Sequence, residues 1–374
     1  MLVGRQTMLL AMAIFGCLAA GAASVEACDV PVFRYALERW SPDLYRAVIF
    51  HRGPLGPAQT AAVDILRQAS TEKDGPAANL TIHTIDVTGR MSPSAQALWQ
   101  QHRSADLPLV VLAYPPRMAG GRTIWSGPLS SASARAVLES PLRAQLARGL
   151  VDGQSAVWLL VESGDRERDD AAARLLADTL ATMPEKLELP PRMIELAQQT
   201  GGSPLRIEFS LLRLSRTDPA EAVFAGMLLG SEADLGTEYA SEPAAFAAFG
   251  RGRLAFALVG KGINAANILA TCRFLTGPCA CVIKDENPGV DLLLSADWEA
   301  AIGTSLVDDI ELPQPVGPAA LQPPAPGEGT GPVGGAPTVF GLSVRNMLIA
   351  VGFMILAAVV LVLVTRKALS RSSS

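Results

Sequence analysis

Histidine is scarce in this sequence, with only three among 374 residues, at positions 51, 83 and 102. None of the three has a neighbour at the spacing of a metal site, so the sequence predicts no metal ligand set. No serine has the glycine-flanked pattern of a nucleophile elbow, and no catalytic triad can be assembled. We therefore predict no catalytic residue, no metal and no cofactor.

The sequence also lacks a block of basic residues. Lysine and arginine number 31 against 36 acidic residues, which gives a net charge of -5, and the basic side chains are scattered among the acids. Binding to the phosphate backbone requires clustered positive charge. No nucleic-acid partner is therefore predicted.

Long uncharged stretches are rare, but one near the C-terminus is long enough to span a membrane. The run Met347 to Thr365 contains no charged residue. At a rise of 1.5 Å per residue, about 20 apolar residues cross a hydrocarbon core. We predict a transmembrane helix over 346–365.

The charges that flank this run predict its orientation. Arg345 precedes it alone, whereas three basic residues follow it closely: Arg366, Lys367 and Arg371. Because positive charge is retained on the cytoplasmic side, the tail 366–374 is predicted to be cytoplasmic. Everything upstream is then extracytoplasmic, on the periplasmic side if the protein is bacterial.

The other end resembles an export signal. Arg5 precedes an apolar run from Met8 to Ala20, and small residues follow it. This run is short for a membrane span and suits cleavage, so 1–24 is predicted to be a signal peptide. Together the two ends predict a single-pass membrane protein with a large exported N-terminal domain.

Between the exported domain and the span lies a segment dominated by proline and glycine, 312–340. It has no apolar period and cannot form a core. Proline favours extended geometry and glycine favours flexibility, so we predict a semi-flexible stalk.

The first part of the exported domain alternates predicted strands and helices. A β-branched strand is predicted over 45–50, followed by a tight turn and a helix over 58–70. A strand over 80–87, a helix over 92–103 and an apolar strand over 107–114 come next. The continuous apolar character of the last strand is typical of a sheet covered on both faces.

These residues resemble the thioredoxin-like family, in which a first strand leads into a Cys-Gly-Pro-Cys turn and a cis-proline precedes a later strand. In the run Phe50-His-Arg-Gly-Pro-Leu, the turn keeps Gly-Pro but has Arg52 and Leu55 where the family has cysteines. Pro108 stands at the position of the cis-proline. The resemblance covers about 28–150 and implies that 25–150 is an α/β domain without redox cysteines.

The missing thiols change what this turn can do. The family turn uses a helix N-terminus to stabilise a thiolate, and neither arginine nor leucine can replace it. Free amide groups near His51, Arg52 and Gly53 form a candidate anion-binding turn. The alternative is a turn of purely structural role.

The remainder, 151–311, is predicted to be a second α/β domain, possibly also thioredoxin-like, which would make the fold a tandem. Its predicted elements are strands over 156–161, 205–214 and 253–259, a helix with an acidic start at 163–170, and a helix over 218–229. A hairpin joining 279–283 to 290–294 through Asn287-Pro-Gly289 is expected to end it.

Four cysteines remain after signal removal: Cys28, Cys272, Cys279 and Cys281. We expect a structural disulfide from Cys272 to Cys279 or Cys281, with Cys28 either pairing the remaining thiol or staying free. One alternative is a redox pair formed by Cys279 and Cys281. Another is soft-metal binding by Cys272, Cys279 and Cys281.

One further pattern is a possible modification signal. Asn79-Leu-Thr81 matches the acceptor for N-glycosylation, which matters only in a eukaryotic secretory pathway.

These patterns favour a non-catalytic, membrane-tethered interaction or scaffold protein. Its expected partners are the membrane, through the C-terminal helix, and a protein of the cell envelope. The alternatives are a thiol-disulfide redox protein and a soft-metal binder.

Overall fold

The computed structural model of the chain describes residues 28–71, 76–116, 118, 122–199, 205–279, 284 and 289–307. The strands are β1 Cys28–Pro31, β2 Tyr45–His51, β3 Ala77–Ala78, β4 Leu80–Asp86, β5 Leu109–Ala113, β6 Thr123–Pro128, β7 Ala156–Val161, β8 Phe209–Leu214, β9 Ala244–Phe249, β10 Arg253–Leu254, β11 Leu258–Val259, β12 Pro278–Cys279, β13 Val290–Asp291 and β14 Ser295–Ala296. The helices are α1 Val32–Arg39, α2 Pro57–Thr71, α3 Pro93–Gln100, α4 Ser131–Leu138, α5 Pro141–Val151, α6 Arg166–Ala181, α7 Met183–Lys186, α8 Pro191–Gln199, α9 Ala222–Leu229, α10 Ala265–Thr276 and α11 Trp298–Ile302.

The first sheet has the order β4-β2-β5-β6. β2 is parallel to β4, while β5 is antiparallel to both β2 and β6. All of β5 is buried, as predicted from its continuous apolar run. Along the chain, β2, α2 and the parallel strand β4 are followed by α3, the antiparallel pair β5 and β6, and α4. This is a thioredoxin-like arrangement.

The second sheet has the order β8-β7-β9-β10-β13, in which the first four strands correspond to β4-β2-β5-β6 and β13 is an additional edge strand. A further short strand, β11, also pairs with β9. β7 is parallel to β8 and antiparallel to β9, as β2 is to β4 and β5. The whole described chain is therefore a mixed α/β structure built on two sheets of similar topology.

Side-chain alternation along the central strands divides the core. Ile49 and Leu112 of the first sheet join Leu159 and Phe246 of the second in one cluster, which also contains apolar residues of α2, α4, α5 and α9. The opposite faces of these sheets pack into two separate clusters. Successive residues of a strand point to opposite faces, so each central strand contributes to two clusters.

β9 is a central strand that sequence periodicity did not predict. Its sequence is AAFAAF, and every residue in it is buried. Alanine has a low β propensity, but strand preference depends largely on packing against neighbours. The strand predicted over 253–259 is instead two short strands, β10 and β11, which both pair with β9.

The two segments of the predicted C-terminal hairpin, 279–283 and 290–294, each pair with another strand, and the hairpin itself stays a prediction. β12 pairs with β1 near the start of the chain, and β13 pairs with β10. Residues 280–283 and 285–288 lie outside the described part. A turn signal such as Asn287-Pro-Gly289 indicates a reversal of direction but does not specify which strands pair.

Each end of the described chain contacts the half of the sequence to which it does not belong, where the halves are the parts before and after position 150. α1 packs with residues of β7, β9 and α10, which belong to the second half of the sequence. In return, β14 pairs with β3 beside the first sheet. The division of the chain at 150 and 151 remains a prediction, since these contacts link the two parts along their length.

A buried carboxylate lies where the halves meet. Asp291 is 2% exposed, and its side chain accepts the Asp43 amide at 2.7 Å and Arg253 Nη1 at 3.1 Å. Lys284 Nζ is a third partner, and the Asp291 carbonyl accepts the Tyr45 hydroxyl at 2.6 Å. Burying a charge is costly unless it is fully paired, and here several donors from distant segments provide that pairing.

Asn79 performs a similar bridging role with a neutral side chain. Its Nδ2 donates to the Asp43 carbonyl at 2.8 Å and to the Leu292 carbonyl at 3.1 Å. Its Oδ1 accepts the Leu294 amide at 3.0 Å. Because this buried amide is bonded on both sides, the asparagine of the possible glycosylation signal is not accessible in the folded protein.

No helix within the described ranges is long and apolar enough to cross a membrane. The predicted signal peptide, stalk, membrane span and tail all lie outside those ranges.

Replacing Asp291 with Asn should lower the free energy of unfolding by about 3–5 kcal/mol, because it leaves buried positive charge without its partner. Urea denaturation of wild type and variant measures the difference. Asp178→Asn, at an exposed position on α6, is the control and should change stability by less than about 0.5 kcal/mol. Equal effects of the two substitutions would contradict the role given to Asp291.

Candidate functional site: the turn after the first central strand

The candidate site is the turn between β2 and α2. β2 runs through the core to His51, and α2 begins at Pro57, where proline suits the first helical turn. Gly53 has φ +66°, a conformation that favours glycine. The exposed Arg52 and the partly buried Leu55 occupy the positions at which the family has cysteines.

The cis bond lies beside this turn. The Leu107–Pro108 peptide is cis, as the resemblance implied. Phe50 of β2 and Leu109 of β5 are antiparallel partners. Continuing this register by one residue places Pro108 opposite His51. The architecture of the family turn is present without its thiols.

The predicted anion-binding turn is already partly occupied by a carboxylate of the chain itself. The Gly53 amide donates to Asp86 Oδ2 at 3.1 Å, and the Gly56 amide donates to Gln59 Oε1 at 2.7 Å. His51 Nδ1 lies 2.7 Å from the Gly53 carbonyl. An external anion would have to displace Asp86 from Gly53, so the prediction of a free amide there is wrong.

Asp86 is the residue of this turn that sequence analysis missed. It ends β4, and its register partner in the parallel pair is His51, which ends β2. Neighbouring parallel strands end at the same edge of a sheet, so an acidic residue closing the second strand was the available signal. Placing Asp86 beside the turn also requires knowing that β2 and β4 are parallel neighbours, which the sequence pattern does not specify.

Hydrogen bonds hold Asp86 in its ionised form. Its Oδ1 accepts the Thr88 hydroxyl at 2.7 Å and the Thr88 amide at 2.9 Å. These bonds, followed by that from Gly53 and the nearby His51, lower the pKa of Asp86. The carboxylate therefore ties the end of β4 to the turn at neutral pH.

The other two histidines are not part of the site. His83 is exposed in the middle of β4. His102 Nε2 lies 3.3 Å from Thr123 Oγ1, and burial lowers the pKa of this histidine. Neither has the geometry of a metal ligand set, and the described residues contain no group of three His, Cys, Asp or Glu side chains able to hold a metal ion.

Cys272 is a free thiol, so the disulfide predicted from it to Cys279 or Cys281 is wrong. It lies inside α10 with 0% exposure, among the apolar residues around Trp158. Burial raises the pKa of Cys272 to about 12. Cys272 lies on the face of α10 that packs into the core. The short spacing between Cys272 and Cys279 along the sequence did not indicate this burial.

The remaining candidate cysteines are placed by the backbone alone. Cys28 begins β1 and Cys279 ends β12, and these strands pair with each other. Cys281 lies outside the described residues. The soft-metal alternative loses Cys272 as an accessible ligand, and the redox alternative through Cys279 and Cys281 stays a prediction.

Comparison with known proteins adds little to this description. No protein-family model matches the chain, and no curated protein matches it. Human ERp44 in its zinc-bound form is similar over 65% of this chain and 55% of its own length, with 12% identity and a TM-score of 0.20. The first two thioredoxin domains of Saccharomyces cerevisiae Eps1p are similar over 62% of this chain and 92% of theirs, with 11% identity and a TM-score of 0.19.

Asp86→Asn should destabilise the protein at neutral pH, and its difference from wild type should shrink in acid. The pKa of Asp86 is lowered by folding, so its contribution is complete above the ordinary aspartate pKa of about 3.9 and is lost as pH falls through the lowered value. Urea unfolding at a series of pH values measures this.

The exposed Asp106→Asn variant is the control for that series. Its difference from wild type should be small and should not follow pH in this way. A difference for Asp86→Asn that stays constant, or grows, in acid would contradict the hydrogen-bonding role of the carboxylate.

Cys272 should resist alkylation in the folded protein. A thiol with a pKa of about 12 has almost no thiolate at pH 8, and its burial blocks the reagent as well. Iodoacetamide followed by peptide mass spectrometry should label it only after denaturation in urea. Rapid labelling of native protein at this position would show that α10 opens or that the thiol is accessible.

Proposed function

We propose that this chain is a non-catalytic, membrane-tethered interaction protein that carries two thioredoxin-like units outside the cytoplasm. The alternatives are a thiol-disulfide redox protein that uses Cys279 and Cys281, and a soft-metal binder that uses cysteines.

One observation carries the proposal, namely a turn that keeps the family geometry but has no thiol. Glycine at positive φ, the cis bond at Pro108 and a helix starting at Pro57 are all present around Arg52 and Leu55. Thiol chemistry at this place requires a thiolate stabilised by the helix N-terminus. A turn that retains shape without its nucleophile is suited to recognition.

The side chains of the turn support recognition. Arg52 is exposed, and its guanidinium offers a fork of donors that matches carboxylates. Leu55, three residues later, packs against the core and fixes the base of the turn. The hydrogen bond that the Gly53 amide donates to Asp86 keeps the backbone in place, so binding requires little ordering of the loop.

The tether rests on the sequence. A signal peptide over 1–24, a stalk over 312–340 and a span over 346–365 would hold the folded part outside the membrane on a flexible connection. Such a connection raises the effective concentration of the domain near other envelope proteins, which favours weak and specific contacts.

The redox alternative depends on the cysteines near β12. Cys272 is unsuited to it because the thiol is buried and its pKa is raised to about 12. Exchange would have to proceed through Cys279 and Cys281, whose close spacing would give a strained and oxidising disulfide.

A photo-crosslinking amino acid at position 52 tests the interaction proposal in intact cells. Placed at Arg52, it should yield a discrete adduct with an envelope protein. The same amino acid at Asp64, exposed on α2, is the matched control and should yield none. No adduct from position 52, or the same adducts from both positions, would count against recognition by the turn.

A thiol-disulfide exchange assay separates the redox alternative. The purified chain should not catalyse reduction of a disulfide substrate, whereas the double variant Arg52→Cys, Leu55→Cys should gain exchange activity as a positive control. Activity of the unmodified chain that disappears on replacing Cys279 and Cys281 with serine would establish the redox alternative.

A further inference from the structure

Two cysteines that are far apart in sequence occupy opposite positions in a pair of strands. β1 and β12 are antiparallel, and Cys28 and Cys279 are Cα partners in their register. The pairing continues toward α1, where the Val32 amide donates to the Gly277 carbonyl at 3.0 Å. The register shifts between the pair Cys28 and Cys279 and the pair Pro31 and Pro278, as in a β-bulge.

Such a position meets the backbone requirement of a disulfide. Residues directly opposite each other in antiparallel strands have Cα atoms about 4.5–5.5 Å apart. Disulfide-bonded cysteines have Cα atoms about 4.4–6.8 Å apart. The register therefore places these two backbones at a separation that suits a disulfide.

The other cysteines are weaker candidates for either partner. Cys272 is a buried free thiol in α10. A bond between Cys279 and Cys281 would close a very small ring, which strains the disulfide. Cys28 thus has one partner that the fold already places opposite it.

We propose that Cys28 and Cys279 form a disulfide that fastens the first strand of the mature chain to the second half of the fold. As the Sγ–Sγ bond forms, the two thiols lose two protons and two electrons. A disulfide oxidant, either a small molecule or an oxidase, accepts them, and its own S–S bond is reduced to two thiols.

The bond would reinforce a junction that packing has already made. α1 follows β1 directly and buries Val32, Phe33 and Ala36 among residues of the second half. A crosslink closing a long loop restricts the unfolded chain more than one closing a short loop. The inference concerns the fold and does not depend on the proposed function.

Peptide mapping of the purified full-length chain tests the bond. After incubation with oxidised glutathione, unreacted thiols are alkylated and the chain is digested with trypsin without reduction. We expect Cys28, in the peptide ending at Arg34, to be linked to Phe274–Lys284, which contains both Cys279 and Cys281. Fragment ions that cut between these two cysteines should place the link on Cys279. In a chain that keeps residues 1–24, the peptide ending at Arg34 also contains Cys17, and fragment ions between Cys17 and Cys28 should place the link on Cys28.

Single variants provide matched controls. The link should persist in Cys281→Ser and disappear in Cys279→Ser. Oxidation should raise the urea midpoint of Cys281→Ser but leave that of Cys28→Ser unchanged. If either variant fails to fold, the fragment ions of the wild-type peptide still assign the link.

Three results would overturn the proposal. One is an alkylated, unlinked Cys28 in folded protein after oxidation. Another is a link that fragment ions assign to Cys281. The third is a bond between Cys279 and Cys281 with Cys28 free.

Discussion

The burial of one carboxylate organises the meeting of the two sheets. Asp291 can be buried only because donors from Asp43, Arg253 and Lys284 converge on it. Those donors come from the entry to the first sheet, from the second sheet and from the segment before β13. An unpaired charge here would cost several kcal/mol, so the arrangement of three distant segments is fixed together.

The same segment continues the link toward the first sheet. Beyond Asp291, Leu292 and Leu294 bond to the Asn79 side chain, and β14 then pairs with β3. At the other end, α1 packs with the second half. The described part of the chain therefore links its two halves through both of its ends.

The turn after β2 has a defined backbone but no thiol. Gly53 adopts a positive φ, and its amide donates a hydrogen bond to Asp86; neither feature requires a thiol. Of the two positions where the family has thiols, Arg52 is exposed to solvent and Leu55 packs against the core. This separation of backbone support from reactive side chains underlies the proposed role in recognition.

Local patterns in the sequence determined much of the fold, including the strands near 45–50 and 156–161, the helix over 58–70, and the absence of thiols at Arg52 and Leu55. These features depend on near neighbours along the chain, whose periodicity and turn preferences can be read directly. The tertiary structure alone decided that β9 is a central strand, that β12 pairs with β1, that Asp86 fills the turn and that Cys272 is buried. Each of these outcomes depends on contacts between segments distant in sequence, and only the complete packing specifies which groups become neighbours.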